Sequence, residues 1–282
     1  MRVGLVGAGP WAQLFTGPML AEAEGIDLVG VWARRPEAAD ALGWGTFTSY
    51  DDLLAACDAV CFSVPPDVQA TMAARAAEAG KHVLLDKPIA RDVAAAEALA
   101  AAIDTAGVIS QVIFTSRYTT TARSFLASLS DVVAVSCSFV THAVAEGSLF
   151  ATPWRVAEPH GLLDLGPHAL DLVLAVAGPV ADVLATERKG VLSIRLTHES
   201  GVVSNVTLST STPGAGGPLE CVAITEHGKV ALEPMSTEVA LAARSTIAQE
   251  FLAACTSGTP HPLDVHRGLE LQRLMERVQR AL

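Results

Sequence analysis

The stretch "RVGLVGAGPWA", Arg2–Ala12, sets a short apolar run directly before a glycine-rich turn, and its reading decides the fold. Val3, Leu5 and Val6 suit a buried strand. Gly7, Gly9 and Ala12 follow in the arrangement G-x-G-x-x-A. Gly7 makes the tight turn, Gly9 lets the backbone approach a pyrophosphate, and the small Ala12 lets the next helix pack closely on the strand. Pro10 and Trp11 complete the loop and are expected at the same cofactor-facing turn. A glycine-rich turn in an ordinary strand-helix unit would share these letters, but the position between strand and helix favours a dinucleotide site.

Outward from that loop, short β-branched runs alternate with alanine-rich helical runs as far as about residue 114. Strands are expected at 2–7, 26–32, 59–64, 81–86 and 108–114, and helices near 10–24, 36–42, 67–79 and 91–106. This is the pattern of a parallel sheet built from βαβ units. Pro18 falls inside the first helical run and should kink or shorten it. Beyond residue 115 the pattern changes to a helix near 119–129, a strand near 131–142, a loop over 147–161 and an apolar helix over 161–178. Several alternating strands with short connections follow between 180 and 233, which predicts a largely antiparallel sheet. Helices near 244–257 and 263–280 close the sequence. The expected division is a nucleotide-binding domain over 1–115 and a substrate-binding and oligomerisation domain over 116–282, with the last helix free to pack back on the first.

The 282 residues are half hydrophobic and only 17% charged, a globular composition. A formal net charge of −11, with no dense Lys/Arg run, argues against nucleic-acid and anionic-membrane partners and for a small-molecule substrate. Five scattered cysteines without a C-x-x-C pair fit reduced thiols, and no metal site is expected. No signal-peptide pattern opens the sequence and no apolar run is long enough to span a bilayer, so a cytoplasmic protein is expected.

The end of the second strand bears on the choice of dinucleotide. An NAD site usually places Asp or Glu there for the ribose 2′-hydroxyl, whereas "VWARRPE" offers Ala33 followed by Arg34 and Arg35. Guanidinium groups suit a 2′-phosphate, so NADP(H) is expected in preference to NAD(H). The plain alternative is an arginine solvated at a helix start, a reading that weighs more for Arg35 than for Arg34.

Two further stretches place polar groups where apolar ones would be cheaper. "GKHVLLDKPIA" puts Lys87 just beyond the carboxyl end of a strand, where open α/β sheets bind ligands. In isolation it would read as a surface lysine, with Asp86 as its local partner or a turn residue. "GLLDLGPHALDLVLAVAG", 161–178, carries Asp164, His168 and Asp171 on the stripe that should be buried. Residues i and i+4 share a helix face, so Asp164 and His168 should project together. Asp171, one turn on, reads better as a structural group.

In the order "GAGPWA", "SVPPDVQA", "AGKHVLLDKPIA", "FTSRY", "PWR" and "LLDLGPHALD", the sequence resembles the Gfo/Idh/MocA oxidoreductases, which include inositol and sugar dehydrogenases. The resemblance implies an α/β fold: an N-terminal Rossmann domain with a doubly wound parallel sheet, then an α/β domain with a largely antiparallel open sheet. It implies hydride transfer between a nicotinamide and a sugar, inositol, keto-sugar or related polyol, with Lys87, Asp164 and His168 as the catalytic and substrate-binding set. His168 would carry the proton, Asp164 would orient the imidazole or hold a substrate hydroxyl, and Lys87 would polarise the carbonyl or stabilise an alkoxide. Ser63, Pro65, Asp86 and Lys87 would then line the cofactor. Gln69 stands where the family commonly has His, which leaves its role open. Arg117 would meet cofactor or substrate, or form an interdomain salt bridge. Trp154 and Arg155 match a pair near the nicotinamide end, or a packed loop aromatic and its neighbour. His160, in the departing segment "EPHG", adds a polar group to the substrate pocket or closes it differently. A homo-oligomer, dimer or tetramer, is implied by the open sheet. Alternative functions are a reductase or dehydrogenase of a non-sugar carbonyl or dihydrodiol, an NAD-retaining glycosidase and a non-catalytic NADP sensor.

Overall fold

The computed structural model describes residues 1–158 and 160–282; Pro159, inside the E-P-H-G segment, lies outside the described residues. The chain divides into two compact units, Met1–Ile113 with Arg244–Gln272, and Phe114–Ala243 with Arg273–Leu282.

The first unit is built on five parallel strands, β1 (Arg2–Val6), β2 (Asp27–Trp32), β3 (Ala59–Phe62), β4 (His82–Asp86) and β5 (Ser110–Ile113), in the order β2-β1-β3-β4-β5. Every residue of β3 is buried, and so are Val83, Leu84 and Leu85 of β4, which explains why these strands read as continuous apolar runs rather than alternating ones. Between them run α1 (Gly17–Ala21), α2 (Pro36–Asp40), α3 (Tyr50–Ala56), α4 (Pro66–Glu78) and α5 (Val93–Ala106). Helix α3 is not among the helices expected from the sequence, although Ser49 caps it by accepting the Asp52 N–H at 3.0 Å.

The expected disturbance at Pro18 takes a definite form. Ala12–Thr16, ahead of α1, is wound as a π-turn in which the Gly17 N–H reaches back to the Ala12 carbonyl. Pro18 has no N–H to give the turn before it. The Leu14 carbonyl is filled instead by the Arg244 guanidinium, which also lies 5.3 Å from the centre of the Phe15 ring. The same returning segment serves β5: Val112 donates to the Leu263 carbonyl at 2.7 Å, and Ser110 Oγ accepts the Val265 N–H at 3.0 Å. This covers what would otherwise be an open strand edge.

At the start of β4, His82 Nδ1 accepts the Ile109 N–H at 3.0 Å, and burial lowers the pKa of the imidazole from 6.5. The unfolded chain therefore takes up this proton more readily than the folded one. Its stabilising contribution is complete above the unfolded value and is lost as pH falls below it through the depressed folded value. The urea midpoint should accordingly drop between about pH 7.5 and about pH 5, and drop less in His82→Gln. Equal drops in the two proteins would remove His82 from the acid response.

The second unit carries a six-stranded sheet in the order β11-β10-β6-β9-β8-β7, formed by β6 (Val132–Val140), β7 (Val180–Arg188), β8 (Val191–His198), β9 (Val203–Ser209), β10 (Glu220–Thr225) and β11 (Gly228–Ala231). Only β6 and β9 pair in parallel, so the sheet is largely antiparallel, as the short connections predict. Burial alternates cleanly along β8, with Leu192, Ile194 and Leu196 inward and Ser193 and Arg195 outward. The other helices are α6 (Thr120–Ala127), the single turn α7 (Pro153–Val156), α8 (Gly166–Ala177), α9 (Thr237–Ser257) and α10 (Val265–Arg280). No helix among the described residues is long and apolar enough to cross a membrane.

Candidate functional site

In the first unit the candidate residues gather at the carboxyl ends of β1, β3 and β4. The strand order reverses direction around β1 and β3, which makes this end of the sheet its ligand-binding edge. Gly7, at φ 112°, turns the chain there. A Cβ on it would stand 2.1 Å from the Ser63 carbonyl oxygen, so only glycine lets the loop pass so close to the end of β3. At Gly9 the reverse holds. A Cβ there would meet nothing within 4 Å, leaving the space above the loop open to a ligand.

These residues fit a dinucleotide. Besides the open face at Gly9, the buried Ser63 Oγ and Trp11 Nε1 have no hydrogen-bond partner among the described residues. Trp11 is held by stacking on Phe15, with ring centres 4.4 Å apart. Pro10 starts the helical turn that the Gln13 N–H closes on the Gly9 carbonyl at 3.1 Å. Ala33 follows β2, and the next two residues, Arg34 and Arg35, are exposed, their guanidinium groups with no hydrogen-bond or ionic partner among the described residues. Pro65 leads into α4.

At the end of β4, the Lys87 N–H is accepted by Asp86 Oδ1 at 2.8 Å, and Lys87 is half-buried. Gln69, wholly buried on α4, bonds to the backbone on both sides of Lys87. A lone amide among Ala70, Ala73, Ala76 and Ala77 on the inward face of α4 was the sequence signal for this contact.

In the second unit Asp164 lies in the turn that precedes α8 and not on the helix itself, which begins at Gly166 and not at the expected 161. Pro167 gives the reason, because its ring forbids helical continuation through the turn before it. Gly161, at φ 71°, opens that turn, and His160 Nδ1 accepts the Leu162 N–H at 3.2 Å. Asp164 is buried with Arg155 Nε 3.1 Å from its Oδ2, a close ion pair without a well-aligned hydrogen bond. The Arg155 guanidinium lies 4.7 Å from the Trp154 ring centre and 5.8 Å from that of Phe150. Three of the expected residues, Trp154, Arg155 and Asp164, are thus brought together. His168, in the first turn of α8, stands edge-on to Phe139 of β6 at 6.2 Å between ring centres. Arg117 Nη1 donates to Asp171 Oδ2 at 2.9 Å, and that carboxylate is fully buried.

The oxidoreductase family model GFO_IDH_MocA, described as an NAD-binding Rossmann fold, matches residues 1–114. An uncharacterized oxidoreductase of Rhizobium meliloti is 38% identical over 100 residues, a match that spans 33% of this chain and 30% of the relative's own length. Among solved structures, a levoglucosan dehydrogenase in complex with NADH and L-sorbose superposes with a TM-score of 0.85 at 15% identity, covering 100% of this chain and 96% of that one. A UDP-N-acetylglucosamine 3-dehydrogenase from Acidithiobacillus ferrooxidans does so with a TM-score of 0.83 at 20% identity, covering 100% and 97%. Those two likenesses are of fold, and they cover the whole chain. With the glycine loop at the sheet's ligand-binding edge, residues 1–114 match the NAD-binding Rossmann fold of the Gfo/Idh/MocA oxidoreductase family.

Proposed function

We propose that the protein is an NADP(H)-dependent oxidoreductase that transfers a hydride between the nicotinamide and a sugar, inositol, keto-sugar or related polyol. The observation that carries the cofactor choice is at the end of β2, where two exposed guanidinium groups without partners among the described residues follow Ala33. A 2′-phosphate supplies the anion that this pair lacks. The substrate class rests on the family and on the sugar-linked names of two fold neighbours.

When bound, the nicotinamide supplies or takes the hydride. The chain's own groups do the rest. Lys87 places a cation on the oxygen of the reacting carbon, stabilising an alkoxide or polarising a carbonyl. His168 takes the hydroxyl proton in oxidation and returns it in reduction. Asp164, charged against Arg155, holds a substrate hydroxyl or fixes the imidazole. The unit of Met1–Ile113 with Arg244–Gln272 serves as the nucleotide-binding domain, and that of Phe114–Ala243 with Arg273–Leu282 as the substrate-binding and oligomerisation domain of a cytoplasmic homo-oligomer.

Titration of the purified protein with NADPH and with NADH, followed by cofactor fluorescence, tests this reading. NADPH is expected to bind about 10- to 100-fold more tightly, the worth of a charge-assisted hydrogen bond, and Arg34→Ala should erase most of that margin. Equal binding of the two cofactors by the wild type would show that the arginines read no 2′-phosphate. The preferred cofactor then serves in a screen of polyols and keto-sugars.

A further inference from the structure

Gln69 has no exposed surface, and its carboxamide directs four hydrogen bonds to one short stretch of backbone. Its Oε1 accepts the Asp86 N–H at 2.8 Å. Its Nε2 donates to the Asp86 carbonyl at 2.8 Å and reaches the carbonyls of Pro88 and Ile89 at 3.2 Å each. Two N–H groups facing three carbonyls leave one bond shared, so both protons of the amide are engaged on this stretch, as is one lone pair of its oxygen. The bonded residues flank Lys87 on both sides, while Gln69 makes no contact with Lys87 through any of these bonds. An amide can do this because it carries donor and acceptor on one planar group. A carboxylate lacks the donors, and a hydrocarbon would offer nothing to these three carbonyls and one N–H.

We propose that Gln69 is a positioning residue, a clamp on the 86–89 backbone that fixes where the Lys87 side chain enters the site. The inference rests on the reading of Lys87 as the cation of the reaction. What the clamp contributes is placement, because an ammonium on a four-carbon stem is only as well aimed as the backbone that carries it.

Amide hydrogen exchange of the cofactor-free protein tests the clamp itself in Gln69→Leu and Gln69→Glu. The second variant keeps the size and one acceptor should the first fail to fold. The Lys87 N–H is the informative probe, because it is held by Asp86 Oδ1 and not by Gln69. It should exchange at least about tenfold faster in the variants, while the amides of β1 are unchanged. Unchanged exchange at Lys87 overturns the clamp.

The second measurement is turnover in a double-mutant cycle with Lys87→Ala, using NADPH or NADH, whichever wild type prefers, and a polyol or keto-sugar that it turns over. Replacing Gln69 should lower kcat about tenfold with little change in KM when Lys87 is present, and have no further effect when Lys87 is alanine. A Gln69 effect that persists in the Lys87→Ala background overturns the positioning role. If Lys87→Ala itself keeps full turnover, the reading of Lys87 fails instead, and the exchange result still decides whether the clamp exists.

Discussion

Lys87→Ala is expected to lose turnover by about 10²–10³-fold, the usual cost of removing one group aimed at developing charge on oxygen. The fold should survive the change, since Lys87 is only half-buried and follows the last residue of β4. The reasoning is geometric. β4 is an interior strand of its sheet, its end lies on the ligand-binding edge, and the adjoining backbone is pinned by Gln69 and by the Asp86 carboxylate. So much rigidity around one lysine would be wasted on a solvated side chain. Steady-state kinetics of the variant, with its urea midpoint as the control for folding, decides the matter. Full turnover in a folded Lys87→Ala protein would return the residue to the surface lysines.

The largest stability effect should come from Arg117→Ala. Asp171 is completely buried on α8 and faces the Arg117 guanidinium at 2.9 Å, so removing the cation leaves a carboxylate charge in the protein interior. Breaking a buried pair from one side costs about 3–5 kcal/mol, far more than the pair itself contributes. Replacing both at once, Arg117→Met with Asp171→Leu, should recover most of that loss, because neither desolvated charge remains. Urea unfolding at unchanged slope measures both. A loss below about 1 kcal/mol in the single variant would mean that Asp171 is satisfied without Arg117. The pair also bears on function, for an arginine engaged in this way has less of its guanidinium to offer a ligand.

The parts of this molecule that were legible in the sequence are those fixed by local rules. The parallel strands announced themselves as β-branched runs, because burial on both faces leaves no room for alternation. The glycine loop was readable because a strand, a tight turn and a helix must follow each other within a dozen residues. What escaped was either short or non-local. Helix α3 has seven residues, too few for a period to show, though Ser49 and Asp52 carried its cap. Spacing alone starts the helix at residue 161, ahead of Asp164, whereas Pro167 delays it until Gly166. Arg117 and Asp171 stand 54 positions apart, and Gln69 and Asp86 stand 17 apart across a strand-helix connection. No periodicity links such pairs; only the fold does.

The grip of Arg244 on Leu14 also sets a timetable. Leu14 and Val112, both in the first unit, receive hydrogen-bond partners from residues 244 and 263, which a ribosome makes only after the whole of 114–243. Through most of translation the nascent nucleotide-binding unit therefore carries an unfinished first helix and an uncovered edge on β5, the kind of edge to which other chains attach. A protein whose opening residues wait for its late ones cannot complete its units in order of synthesis, and its second unit has all of its sheet before the first can close.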